Sequence, residues 1–492
     1  MTRQRWFLLI MAFLLIALSW WGVVAARRSL TVRALERDRI SMLYVAPQGA
    51  ERVPGVLVAH GFAGSKQLML GYAHVLAHAG YAVILWDFAG HGANPTPMER
   101  GSLQQDFNTA LAALRSQPEV DPSRLALLGH SMGSGVVMSA SIRDADQFAA
   151  TIAVSPTGAE VTPQVPRNLQ LQVGGWEGRF ANNAERLLKQ AGGENQQLAA
   201  GKGRSLITIP NAEHITILFR DTSHQAALKW LDATFRQAQS DAVRELPPSS
   251  YVDRRIAWYG LHLLGWLLAL VAIAPSLSQP NFTLPTRKPR PRQRWAGLLL
   301  APLVASSALA LISRAGEIQN LGGLVVGGAI ALWFLIAGAV WLGILSYLPR
   351  LTLRAVGLGI ALFILLWIAF GGMAQFVWLQ WWLIPARLQL WPLLSLACLP
   401  WFLASGLAQQ GVSAVKRVAW WLGQSLALMG GFLLVLYLVP QLFFIFLLLP
   451  LFPVIMAILC LVASQLDDEW SYAIGSACFF GWILAAAFPL GS

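Results

Sequence analysis

Two patterns of apolar residues divide the chain. Between residues 27 and about 240, short apolar runs alternate with amphipathic stretches; beyond residue 256 the sequence is almost continuously apolar. The short runs are Met42–Val45, Gly55–Ala59, Ala82–Trp86, Leu125–Leu128, Thr151–Val154, Leu169–Val173 and Leu206–Ile209. Each is too short for a helix and suits a strand buried on both faces. Between them, Lys66–Ala79, Leu103–Ser116, Met132–Arg143, Asn182–Gln190 and Ser223–Gln237 carry helical periodicity. Strands alternating with helices predict an α/β domain with a doubly wound, mostly parallel sheet, whose ligand sites lie beyond the carboxyl ends of the strands.

The apolar remainder predicts an all-α polytopic membrane domain. Trp6–Ala26 runs 21 residues without a charge behind the basic Met-Thr-Arg-Gln-Arg start. That is long enough to cross a bilayer, and it reads as an uncleaved signal anchor over 1–26; the core of a cleaved signal peptide is normally shorter. A soluble domain over 27–245 and a linker over 246–255, with Pro247-Pro248-Ser249-Ser250, precede the membrane domain at 256–492. About eight apolar segments follow: 256–275, 295–313, 321–347, 355–374, 390–408, 418–438, 441–463 and 471–489, for nine with the first. The tight turn at Val439-Pro440-Gln441 makes one of its neighbours a candidate re-entrant segment.

Charge sharpens this division. Net charge is +12, but residues 27–255 hold 23 Lys and Arg against 20 Asp and Glu, so most of the excess lies in the apolar part. Loop charges that set topology explain it better than a nucleic-acid surface does. Loop 276–294 carries Arg287, Lys288, Arg290, Arg292 and Arg294 and is placed in the cytoplasm, as are Arg350 with Arg354 and Lys416 with Arg417. Counting back puts the N-terminus in the cytoplasm and the soluble domain outside, with Arg27, Arg28, Arg254 and Arg255 as contrary charges. The three cysteines, Cys398, Cys460 and Cys478, all lie in apolar segments, so the soluble domain has no disulfide.

The chemistry centres on Gly129-His130-Ser131-Met132-Gly133, directly after the apolar run Leu125–Leu128 and at the start of a helical stretch. A Gly-x-Ser-x-Gly turn between strand and helix lifts the serine above the sheet edge, with small neighbours tolerating the strained backbone. Ser131 needs a base, and His214 follows the strand Leu206–Ile209. Of the other histidines, His74 and His78 lie on a helix, His224 starts another, His130 is inside the elbow and His262 opens a membrane segment. The imidazole needs an acid, and Glu177 follows the preceding strand; Glu213 and Asp221 are alternatives. An oxyanion hole needs two N–H donors. Met132 follows the nucleophile, and Phe62 lies in the His60-Gly61-Phe62-Ala63-Gly64 loop after an early strand.

These blocks resemble the α/β-hydrolase family: His60-Gly61-Phe62, Asp87-Phe88-Ala89-Gly90-His91-Gly92, the elbow around Ser131, then Glu177 and His214, in the family's order Ser, acid, His. The resemblance covers about residues 40–240. It implies a serine hydrolase of esterase, lipase or peptidase type, forming an acyl-enzyme on Ser131. Two departures stand out: Ala89 where the family usually has Arg in a loop that shapes the site, and Glu in place of the commoner Asp. Only Ser155–Asn168 separates two strands where the family often inserts a helical lid. An open pocket covered by the bilayer or the membrane domain favours lipid-like or acylated substrates.

The spans contain essentially no ionisable residue at their centres, against a transporter. Arg387 and Asp467-Asp468-Glu469 fall at segment ends; Gln375 and Gln380 are weak signals beside Trp378, Trp381 and Trp382, which read as an aromatic belt or as ordinary packing. Gly322-Gly323 and Gly327-Gly328 read as close helix packing. No phosphate loop or metal cluster is visible, so no cofactor is expected. The expected partners are a small-molecule or lipid-like acyl substrate and membrane lipid, with no nucleic acid. The alternative is a transport or assembly protein whose hydrolase-like domain binds without catalysing.

Overall fold

A computed structural model describes residues 2–99, 101–237, 251–277, 289–463 and 468–492. Half of the expected linker (246–250), Arg287 and Lys288 of the basic loop, and Asp467 lie outside the described residues. The chain divides into two compact units, one of Leu18–Gly260 with Ala374–Gln380, the other of Met1–Ala17, Leu261–Met373 and Trp381–Ser492.

In chain order the elements up to residue 237 are α1 (Arg3–Ala25), β1 (Leu30–Arg37), β2 (Ile40–Pro47), β3 (Val53–Ala59), a 3₁₀ turn Lys66–Met69 leading into α2 (Leu70–His78), β4 (Ala82–Trp86), α3 (Ser102–Arg115), β5 (Val120–His130), α4 (Met132–Arg143), β6 (Ala150–Val154), β7 (Leu169–Gly174), α5 (Gly178–Gln190), β8 (Arg204–Ile209) and α6 (Asp221–Gln237). The eight strands form one sheet in the order β1-β2-β4-β3-β5-β6-β7-β8. Only the pairings of β2 with β1 and β4 are antiparallel; β4 through β8 run parallel. This is the expected α/β class. The central strands are apolar at every position because each face is covered. Val56, Val58, Ala126 and Leu128 pack under α2 and α6, while Leu57, Ala59, Leu125 and Leu127 pack on the other face with residues of α3 and α4.

β1 was not expected. Its Arg33, Glu36 and Arg37 break the apolar pattern, and a charged edge strand suits a position with one unpaired side. It reaches β2 through a two-residue turn in which Asp38 and Arg39 both have positive φ, 52° and 64°. That is the conformation hairpins favour, adopted here without the usual Asn-Gly. β5 also starts earlier than expected, with a register break opposite Pro54 and Gly55.

From residue 251 on, the helices are α7 (Arg255–Leu277), α8 (Pro291–Ala315), α9 (Gly327–Leu345), α10 (Leu353–Leu366), α11 (Gly372–Val377), α12 (Pro385–Gln409), α13 (Ala414–Leu438), α14 (Phe452–Ala463) and α15 (Glu469–Ala487). Among the described residues, eight helices including α1 are long and apolar enough to cross a membrane; α10 and α11 count as one, through the π-turn Trp367–Gly371. A further candidate, the 3₁₀ stretch Pro440–Leu448 with α14, is bent by 54°. The bend falls within the segment that Val439-Pro440-Gln441 opens.

Inside the helical unit, Arg387 is buried and one of its Nη atoms donates to the carbonyls of Ala485 (2.5 Å) and Phe488 (2.8 Å). The guanidinium thus caps the carboxyl end of α15, where the helix dipole favours a cation. Trp381 is fully buried among Trp367, Phe370, Phe479 and Trp482, so it belongs to packing and not to a belt. Gly322 and Gly323 correct the sequence reading: with φ of 64° and 80° they form a turn ahead of α9, not a helix contact.

Candidate active site

The elbow is set by backbone crowding. Ser131, between β5 and α4, has φ 51° and ψ −119°, and its N–H donates to Val154 O at 2.9 Å. A Cβ on Gly129 would stand 2.4 Å from Gly133 O, and one on Gly133 would stand 2.5 Å from His60 O. Both contacts are to backbone, which has no freedom to swing away, so the turn requires glycine at both positions. Ser134 Oγ donates to Ser131 O at 2.5 Å and accepts the N–H of Thr157 at 3.0 Å, tying the start of α4 to the segment after β6.

His214 Nε2 lies 3.0 Å from Ser131 Oγ, and His214 Nδ1 lies 2.7 Å from Glu177 Oε1. Three strand ends, those of β5, β7 and β8, therefore bring together residues 83 and 37 positions apart. The other Glu177 oxygen accepts the N–H of Gly174 at 2.6 Å and the hydroxyl of Ser155 at 2.8 Å, so the carboxylate is buried and fully engaged. Glu213 instead accepts the N–H groups of Ile215 and Thr216, in its own loop. Asp221 opens α6 and accepts from Gln225.

Residues that sequence reasoning did not single out complete the surroundings of His214. Phe180, two residues into α5, stacks on the imidazole with centroids 4.3 Å apart. His130 Nε2 donates to His214 O at 2.9 Å. Burial, with the neighbouring His214 adding to it, pushes the His130 pKa well below 6.5, so it is a neutral positioning ring. No local signal marks these contacts, which join distant parts of the chain.

Met132 is the first residue of α4, at a helix end whose N–H groups face outward. The loop carrying Phe62 lies beside the serine: a Cβ on Gly61 would be 3.1 Å from Ser131 Cβ. The loop is held by a turn, Gly64 N–H to Gly61 O at 3.1 Å, and by His60. His60 Nδ1 donates to Gly61 O at 2.7 Å, and its Nε2 accepts the Phe88 N–H at 3.1 Å. One acceptor and one donor nitrogen define a neutral ring, and burial lowers the His60 pKa accordingly.

The neighbouring loop, Asp87 to Gly92, is built around Asp87. Its carboxylate receives Lys66 N–H (2.7 Å), Lys66 Nζ (2.5 Å) and Ala93 N–H (2.8 Å), the two Lys66 bonds out of solvent. Gly92, at φ 51°, leaves no room for a Cβ against that carboxylate. Ala89 N–H donates to Asp106 of α3 at 2.7 Å. Burial raises the Asp106 pKa to about 6, and the Ala89 N–H holds it from going higher. Since the folded value lies above the unfolded 3.8, the stability this group contributes is complete below about pH 4 and is lost as pH rises through about 6. In Asp106→Asn that decline is expected to disappear. Urea midpoints for both chains at pH 4, 5, 6 and 7 check this, and identical slopes would refute the assignment.

Among the described residues, no group of three His, Cys, Asp or Glu is placed to hold a metal. Ser155–Asn168 contains neither helix nor strand, so no helical lid follows β6.

Residues 51–236 match the family described as serine aminopeptidase, S33. An uncharacterized protein of Mycobacterium tuberculosis is 32% identical over 123 residues, which cover 25% of this chain and 43% of the relative. Epoxide hydrolase A of the same species is 31% identical over 145 residues, covering 29% of this chain and 42% of the relative. The chain thus spans less than half the length of these relatives. The solved dienelactone hydrolase of Anabaena variabilis is 20% identical, with a TM-score of 0.32, and the alignment covers 41% of this chain and 97% of that one.

Proposed function

We propose that residues 51–236, which match the serine aminopeptidase S33 family over a mostly parallel eight-stranded sheet, form an α/β-hydrolase domain and that the protein is a membrane-anchored serine hydrolase. Ser131 attacks an ester, thioester or amide carbonyl, His214 takes the serine proton, and Glu177 holds the imidazole and stabilises its charged form. The tetrahedral oxyanion is received by the N–H groups of Met132 and Phe62. The protonated His214 then donates to the leaving group, and water releases the acyl group from Ser131 by the same steps in reverse. The observation that carries the reading is the unbroken chain Ser131 Oγ, His214 Nε2, His214 Nδ1, Glu177 Oε1, at 3.0 and 2.7 Å.

The test is labelling of the detergent-solubilised full chain with a fluorophosphonate, followed by peptide mass spectrometry. The adduct is expected on Ser131 alone, with parallel loss of ester turnover. A folded chain that takes no label, or takes it elsewhere, would leave the transport or assembly alternative in its place.

The anchoring rests on the apolar helices, with the N-terminus read as cytoplasmic and the hydrolase domain as extracytoplasmic. The substrate class rests on the open region after β6 and on Trp176. Among the described residues 27–251, Trp176 is the only large apolar side chain that is mostly exposed, at 70%. It immediately precedes Glu177 at the carboxyl end of β7. An indole there offers apolar surface to an acyl chain. Trp176→Ser is therefore expected to lower kcat/KM about tenfold for a dodecanoyl p-nitrophenyl ester and less than twofold for the acetyl ester, on the scale of one lost apolar contact. Equal losses for both esters would refute the acyl-chain role.

A further inference from the structure

The segment Ala374–Gln380 lies more than a hundred residues beyond the hydrolase domain in sequence, yet it belongs to the same compact unit. It is held there by polar and apolar contacts. The Gln380 backbone N–H donates to Ser65 Oγ at 3.3 Å, and Gln67 Nε2 donates to Gln380 Oε1 at 2.5 Å. Gln375 Nε2 donates to the same oxygen at 3.3 Å. Ser65, Gln67 and Gln380 are each buried, with 2%, 6% and 7% of their surface exposed. Trp378 packs on the apolar cluster that contains Met69 and Tyr72, and Phe376 lies edge-on to Trp20 with the Arg27 guanidinium over its ring.

The place where the segment lands matters. Ser65 is the residue after Gly64, which closes the loop carrying Phe62 beside Ser131. Lys66, next in sequence, is bonded through both its N–H and its ammonium to Asp87. The amino end of this loop is fixed by β3 and the two His60 bonds. Its carboxyl end is fixed by Asp87 and by Gln380. A buried set of polar groups bonded to one another is sensitive to the loss of any one partner.

We propose that Gln380 is a positioning residue for the oxyanion loop, so that a segment continuous with the apolar helices completes the hydrolase site. The inference rests on the serine-hydrolase reading above. It assigns part of the second half of the chain a task in the reaction: the span Leu353–Val377 runs directly into this segment. A chain ending before residue 374 lacks one of the two constraints on the carboxyl end of the loop.

The experiment compares wild type with Gln380→Ala, Gln67→Ala, Ser65→Ala and the Gln67→Ala/Gln380→Ala double variant, all as full chains in detergent. The readouts are kcat and KM for a p-nitrophenyl ester and the inhibition constant of a phenylboronic acid, whose anionic tetrahedral serine adduct reports the oxyanion donors. Because a loop shift harms the transition state more than substrate binding, kcat is expected to fall about tenfold with KM within twofold. The boronate constant should rise by the same factor as kcat falls, and the double variant should be no worse than the poorer single one. Fluorophosphonate stoichiometry and thermal midpoint show which variants are folded; Ser65→Ala removes a single oxygen and decides the matter if Gln380→Ala does not fold. Folded variants with wild-type kcat and boronate affinity overturn the inference. Turnover that survives Ser131→Ala overturns the serine-hydrolase reading instead, on a separate measurement.

Discussion

Ser131→Ala, His214→Ala and the double variant are each expected to lower kcat by about 10⁶-fold, with the double variant no slower than either single one. The reason is that in the proposed mechanism the two side chains perform one act. A neutral serine hydroxyl is a weak nucleophile, and it becomes a strong one only as its proton passes to the imidazole 3.0 Å away. Without the hydroxyl, His214 has no proton to accept; without the imidazole, the hydroxyl has nowhere to send it. What remains is the activation of substrate by the proposed N–H donors of Met132 and Phe62, which does not depend on either side chain. The fold should not obscure the result. The strained backbone at Ser131 is imposed by Gly129, Gly133 and the bond to Val154 O, none of which involves the serine hydroxyl. Alanine shares the serine Cβ and adopts the same turn, so denaturation midpoints should change by no more than about 0.5 kcal/mol in stability. Turnover of a p-nitrophenyl ester by the three variants decides the point. Losses that multiply in the double variant would show two groups acting independently, and the proposed proton transfer between them would be wrong.

Much of this arrangement is legible in the sequence because it is written in local patterns. The runs at Gly55–Ala59, Ala82–Trp86 and Leu125–Leu128 are apolar at each position since both sheet faces are covered, and that continuity marks them as interior strands. Parallel strands put their carboxyl ends on one edge of the sheet, so Ser131, Glu177 and His214 could be nominated as suitable groups after three such ends. The same logic fails where structure depends on pairing across distance. β1 carries charges at Arg33, Glu36 and Arg37 and turns through Asp38-Arg39, a pair with no strong turn signature. Phe180 on His214, Ser155 on Glu177 and His130 on His214 O arise only when the sheet assembles. Gln380 is the extreme case, 315 residues from the serine it meets. In the sequence it is a weak signal beside Trp378, Trp381 and Trp382, and nothing in its neighbours names Ser65 as its partner.

Glu177→Gln is expected to lower kcat by about 10⁴-fold while KM stays within a few-fold. Its size follows from hydrogen-bond direction. One carboxylate oxygen of Glu177 accepts from the Gly174 N–H and the Ser155 hydroxyl, and the other faces His214 Nδ1. A backbone N–H can only donate, so a glutamine here must turn its carbonyl oxygen toward Gly174 and its –NH₂ toward His214. The amide then donates to Nδ1, which must carry a lone pair. The ring proton moves to Nε2 and points at Ser131, and an imidazole in that tautomer has no lone pair left to take the serine proton. Flipping the amide restores the tautomer only by setting two donors against each other beside Gly174 in a buried site, at a cost of about 1–3 kcal/mol. Either way the loss comes from a single proton in the wrong place. The Nδ1 proton that bridges His214 and Glu177 in the wild type should give a far-downfield proton resonance that is missing in Glu177→Gln. A variant within tenfold of wild-type kcat would move the role of the acid to another carboxylate, with Glu213 and Asp221 the first to replace in turn.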